Sequence, residues 1–128
     1  MDFQRIDHVV FTVHDIDATC EFYSLALGME VITFDEGRKA LQVGQCKMNL
    51  HQAGREFEPK ALRPAPGTQD VCLITSTPIK EVIEHLRHVG VEIAEGPVPR
   101  AGALGNLESV YLRDPDGNLI EVARYIDS

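Results

Sequence analysis

Four residues carry the chemistry that this chain can do: His8, His51, Asp70 and Glu121. Two imidazoles and two carboxylates suit a borderline divalent cation, and zinc, nickel, manganese and ferrous iron are all reasonable occupants. Ligation by three or four such groups leaves positions open for water or substrate, as metal-assisted catalysis requires. The other histidines, His14, His85 and His88, fall in a loop or off an apolar helical stripe and read as solvated surface. Cys20, Cys46 and Cys72 are odd in number and form no CxxC pair, so they read as reduced thiols of a cytoplasmic protein. Cys72 reads as a small buried hydrophobe.

The elements that must position the four residues are legible as a repeat. Shifted by 62 residues, His8-Val-Val-Phe-Thr-Val falls on Asp70-Val-Cys-Leu-Ile-Thr, and Gly28-Met-Glu-Val falls on Gly90-Val-Glu-Ile. Two copies of one module follow, residues 1–57 and 66–128, joined by the proline-rich segment 58–67. Each copy opens with period-two alternation and continues with period 3.6. The first helix carries Ile16, Cys20, Tyr23 and Leu27 with Asp15 as N-cap. The second carries Ile79, Val82, Ile83, Leu86 and Val89, with Thr77 as cap, Pro78 in the first turn and Gly90 ending it. Three more strands complete each copy, expected near 30–34, 39–43 and 47–52, then near 92–95, 108–113 and 118–124. Each module is therefore βαβββ, in an α+β fold, with one helix on one face of a four-stranded sheet.

Parity assigns the faces. Met48, Leu50, Ile120 and Val122 point to the helices, so Lys47, Asn49, His51 and Glu121 point to the opposite, concave face. His8, Asp70 and Cys72 join them, and a pseudo-two-fold relation between the modules would bring the four candidate ligands together. Tyr111 and Arg113 share a parity on the strand before Glu121.

Composition bounds the partners. The chain has 128 residues, of which 44% are hydrophobic, which fits one compact domain rather than a disordered segment. Its net charge of −8 argues against nucleic acid and anionic membranes and leaves a small-molecule substrate as the expected partner. No apolar run reaches the ~18 residues of a membrane span, and the opening Met-Asp-Phe-Gln-Arg lacks the features of a signal peptide.

The paired modules, the opening Ile6-Asp7-His8-Val9-Val10, the segment Glu21-Phe-Tyr-Ser-Leu-Ala-Leu-Gly-Met29 and the ending Asp114-Pro-Asp-Gly-Asn-Leu-Ile-Glu121 resemble the vicinal oxygen chelate superfamily. That group contains glyoxalases, bleomycin-resistance proteins and extradiol dioxygenases. Asn49-Leu-His51 and Gly96-Pro-Val-Pro-Arg-Ala-Gly-Ala-Leu-Gly105 are similar to a subgroup of short, lactoylglutathione-lyase-like proteins, some virulence-associated. The resemblance implies a cupped, partly open mixed-sheet barrel and a metal held by His8, His51 and Glu121, with Asp70 where the family commonly has histidine. It implies a glyoxalase-like lyase or isomerase acting on a small oxygen-chelating substrate. Glu121 would serve as ligand and base, and Asp70 as fourth ligand or alternative base. Tyr111 would donate to a substrate oxygen. Asn49 on the cup face, with Arg38, Arg63 and Arg100 for an anionic group, would bind substrate. The loop 100–105 would close over the cup. A homodimer is implied, as are two alternative functions: sequestration of a small molecule, or ring opening with ferrous iron.

Overall fold

The structure is a computed structural model that describes residues 1–126. The chain forms two compact units, Met1–Gly67 and a second beginning at Thr68. The first contains β1 (His8–Val13), α1 (Ile16–Leu27), β2 (Glu30–Phe34), β3 (Arg38–Val43) and β4 (Cys46–Gln52). The second contains β5 (Asp70–Ile74), α2 (Ile79–His88), β6 (Glu95–Ala101), β7 (Asn106–Arg113) and β8 (Leu119–Tyr125). Each unit is thus βαβββ, and the fold is α+β. The sheet orders are β1-β4-β3-β2 and β5-β8-β7-β6, both open and mixed. In each, the first strand runs parallel to the last and the other pairs are antiparallel.

Local chemistry explains the elements. Asp15 caps α1 by accepting from the backbone N–H of Ala18 at 3.0 Å, and Gly28 ends the helix in the left-handed conformation. Phe11, Val13, Leu41, Met48 and Leu50 are buried beneath α1, whose Tyr23 and Ala26 are buried in turn. In the second unit Val110, Leu112, Ile120 and Val122 are buried with Ile79 and Leu86 of α2. Each such large side chain contributes about 1.5–3 kcal/mol of burial.

Three local expectations are corrected. The strand expected near 92–95 begins instead at Glu95 and runs to Ala101, with a bulge between Glu95 and Val98. Prolines 97 and 99 look like strand breakers, but β6 is an edge strand, where a missing N–H costs no ladder bond. Arg100 and Ala101 therefore belong to that strand and not to a loop. Thr77 does not cap α2; Pro78 occupies that position without a side-chain bond. Cys72 is exposed, because it lies on the face of β5 opposite α2.

Candidate active site

In the first unit, strand register groups the side chains opposite α1. His8 lies beside Lys47, Val10 beside Asn49 and Thr12 beside His51. Asn49 lies beside Ala40 on its other flank, and Arg38, two residues earlier on β3, occupies the same face. His8 and His51 stand four residues apart in register, or about 13 Å along the strands.

Each imidazole is held differently. His8 Nδ1 lies 2.8 Å from Asp7 Oδ2. A carboxylate only accepts, so Nδ1 carries a proton, which in the neutral tautomer leaves Nε2 with its lone pair. This is the carboxylate–histidine arrangement common at metal ligands. The hydrogen bond from His8 is the main cause that holds the Asp7 carboxyl below its usual range. His51 is only 4% exposed, and its Nε2 lies 3.3 Å from Arg38 Nη2. A guanidinium only donates, so that nitrogen's lone pair is used within the protein. Burial, then the Arg38 charge, pushes the His51 pKa below its ordinary value, so the ring is neutral near pH 7. Phe57 packs edge-on against His51 and under the Arg38 guanidinium.

The second unit holds a concave pocket of about 430 Å³ on the face opposite α2, lined by Asp70, Glu95, Arg100, Tyr111, Arg113 and Glu121 among others. Glu121 lies beside Tyr111 on one flank and Cys72 on the other. The buried Ser109 hydroxyl donates to Glu121 Oε2 at 2.6 Å, a short bond to an ionised acceptor. Arg100 Nε donates to the Tyr111 hydroxyl at 2.8 Å, and Arg100 Nη2 reaches Glu95 at 3.3 Å. Tyr111 also interacts with Glu121. Burial is the main cause raising the phenol's pKa, against Arg100, so it remains a proton donor. The Cys72 thiol is pushed up to about 11, by partial desolvation first and the Glu121 carboxylate second, and stays protonated.

Asp70, Tyr111, Arg100 and Glu121 are thus brought into one pocket. His8, Asn49, His51 and Arg38 share a face of the first unit. Arg63 lies exposed between β4 and β5, in neither sheet. Among the described residues, no group of three or more His, Cys, Asp or Glu side chains is placed to hold a metal ion. Taken unit by unit, the donor types suit a cation: in the first, His8 with its Nδ1 anchored on Asp7, and in the second, the Asp70 and Glu121 carboxylates of one pocket. His51 is the exception, since Arg38 occupies its Nε2 and sets a cation beside it. Register also shows that the counterpart of Glu121, beside Cys72, is Asn49, beside Val10, and not His51.

Sequence reasoning missed Ser109, Glu95 and the orienting role of Asp7. Counting back two from Tyr111 places Ser109 on the same face, which was the available signal.

Residues 5–122 match the Glyoxalase/Bleomycin resistance protein/Dioxygenase superfamily. The chain is 54% identical to Virulence protein STM3117 of Salmonella typhimurium over 98% of its own length and 88% of that protein. The crystal structure of STM3117 superposes with a TM-score of 0.97, covering 98% of this chain and 100% of that one. Glyoxalase domain-containing protein RDO1 of Mycosarcoma maydis is 51% identical, over 98% of this chain and 70% of that protein. A lactoylglutathione lyase from Agrobacterium tumefaciens, 21% identical, shares the fold at a TM-score of 0.73, over 96% of this chain and 95% of that one.

Proposed function

The chain belongs to the Glyoxalase/Bleomycin resistance protein/Dioxygenase superfamily, and from that premise we propose that it is a metal-dependent enzyme of the lyase or isomerase type. Its substrate is a small oxygen-chelating compound such as a 2-oxoaldehyde adduct. The supporting observation is the pocket on the second unit, where a carboxylate fixed by Ser109 shares its space with a phenol and a guanidinium. That is the equipment for moving a proton next to a carbonyl group.

Glu121 takes the carbon-bound proton as general base, and the electron pair moves to the adjacent oxygen. Tyr111 donates a hydrogen bond to that oxygen, and Arg100, bonded to the phenol oxygen, makes it a stronger donor. Ser109 keeps Glu121 in place, and Glu121 returns the proton to the neighbouring carbon. Asp70 and Glu121 of this pocket would hold a divalent ion, which would supply Lewis acidity toward the substrate's oxygens. His51 would bind a metal only by giving up its bond from Arg38. The reading takes the protein as a cytoplasmic homodimer, which sedimentation velocity would check.

The test is proton NMR in deuterated water with the methylglyoxal–thiol hemithioacetal, on protein purified without chelator or histidine tag and analysed for metals. Wild type should carry or take up a transition metal and exchange the carbon-bound proton. Glu121→Gln should lose about a hundredfold or more of that rate. Protein that takes up no zinc, nickel, manganese or iron would refute the reading in favour of a sequestering protein. Turnover that requires iron and consumes oxygen would refute it in favour of ring opening.

A further inference from the structure

The first unit carries a cationic cluster that the chemistry above does not use. Lys47 Nζ lies 3.5 Å from the centroid of the Phe34 ring, and the Arg38 guanidinium lies 5.1 Å from the same centroid. Phe57 lies 4.2 Å from that guanidinium. Neither cation makes an ion pair within 4 Å among the described residues. The neighbouring carboxylates bond elsewhere: Asp7, which feels the Lys47 charge from beyond ion-pair distance, bonds His8 and pairs with Arg5, and Glu56 bonds Lys60 and the Gly54 N–H. His51 is neutral and accepts from Arg38, so it offsets no charge. In a chain of net charge −8, two cations sharing one aromatic ring with no ion-paired anion are a local exception.

A second, independent observation lies beneath them. Asn49 is only 6% exposed, and its Oδ1 has no hydrogen-bond partner; Arg38 Nε is likewise buried and unpartnered. Unpaired buried donors and acceptors are rare in folded chains. Here one of each stands on adjacent strands of one face, below two cations. A ligand satisfying all of them carries an anionic oxygen for Arg38 and Lys47 and a hydroxyl or N–H for the Asn49 oxygen. The walls of Phe34 and Phe57 fit a flat group, whereas a phosphoryl group needs donors around three oxygens.

The geometry points to a carboxylate-binding site on the first sheet, built by Arg38, Lys47 and Asn49 between Phe34 and Phe57, that takes a small hydroxycarboxylate. This goes beyond the proposed reaction and stands on the first unit alone.

The test is an NMR titration of the full chain with lactate, with lactamide as neutral isostere, acetate lacking the hydroxyl, and inorganic phosphate as the competing oxyanion. Lactate should saturate and shift the amides of Ala40 and Asn49, and lactamide should not. Lys47→Met and Arg38→Gln should each weaken lactate about tenfold, as loss of a charge-assisted bond does. Asn49→Leu should weaken lactate and leave acetate unchanged. Lys47→Met, whose side chain is not in the core, carries the test if Arg38→Gln fails to fold. Glu121→Gln should bind lactate as wild type does, so failure here and failure of the proposed reaction are told apart. Equal binding of lactamide, tighter binding of phosphate, unchanged affinity in Lys47→Met, or shifts confined to β5–β8 would each overturn the assignment.

Discussion

Gly96→Ala gives a direct reading of how β6 meets β7. Gly96 has φ +114, and a Cβ built there would lie 2.5 Å from the Ser109 carbonyl oxygen and 2.9 Å from Val110 Cα. Both are backbone atoms, so no side chain can swing aside. Two costs add. The backbone conformation, outside the regions that L-residues favour, costs about 1–3 kcal/mol. Forcing the strands apart adds about 1–3 kcal/mol, as overpacking does elsewhere. Together they reach about 2–6 kcal/mol, centred near 4, a large part of the ~5–15 kcal/mol that holds a small domain together. At about 3–5 °C per kcal/mol for this chain length, Tm should fall by on the order of 10–20 °C. Gly44→Ala is the matched control: its φ is +54 and nothing lies within 4 Å of the added carbon. It should cost about 1–2 kcal/mol and only a few degrees. Differential scanning calorimetry of both variants decides. Were Gly96 in a loop beyond a strand ending at Glu95, the two variants would melt together, and that result would refute the β6–β7 register. Because Ser109 also holds Glu121, the Gly96 variant should lose exchange activity under conditions where it remains folded.

Other outcomes follow from the same geometry. Asp7→Asn should weaken zinc binding about 10- to 100-fold, by competition with a chromophoric chelator, because it releases the anchored Nδ1 of His8; equal affinity would mean that Asp7 does not orient the ring. An imidazole NMR titration should place the His51 midpoint below 6.5, and Arg38→Gln should raise it only partway, since burial is the larger cause. The sign for stability follows: the unfolded chain binds that proton first, so the stabilising contribution is complete above 6.5 and is lost as pH falls through the window below it. A His51 midpoint at or above 6.5 would contradict the buried, Arg38-bonded ring. Asp15→Ala should cost about 1 kcal/mol through loss of the α1 cap, read as a drop of a few degrees in Tm; an unchanged Tm would deny the cap.

Much of this chain was legible because its signals are local. Val9, Phe11 and Val13 announce a strand, and Asp15 and Gly28 bracket a helix, through interactions that span only a few residues. The exposure of Cys72 and the extent of β6 were not legible for the opposite reason. Alternation gave the face of Cys72, but its exposure depends on what covers that face, and Gly96-Pro-Val-Pro reads as a break unless the strand is known to be an edge.

The sequence by itself determined the element order, the repeat and the face on which His8, Asn49, His51, Asp70 and Glu121 lie, because period-two alternation fixes a side chain's face whatever it pairs with. Tertiary structure alone decided the neighbours. It set Arg38 against His51 Nε2, Ser109 and Cys72 beside Glu121, and Arg100 against Tyr111. Neighbours across strands depend on register, which turn geometry and core packing set over the whole sheet, and a slip of one residue would exchange every one of these contacts.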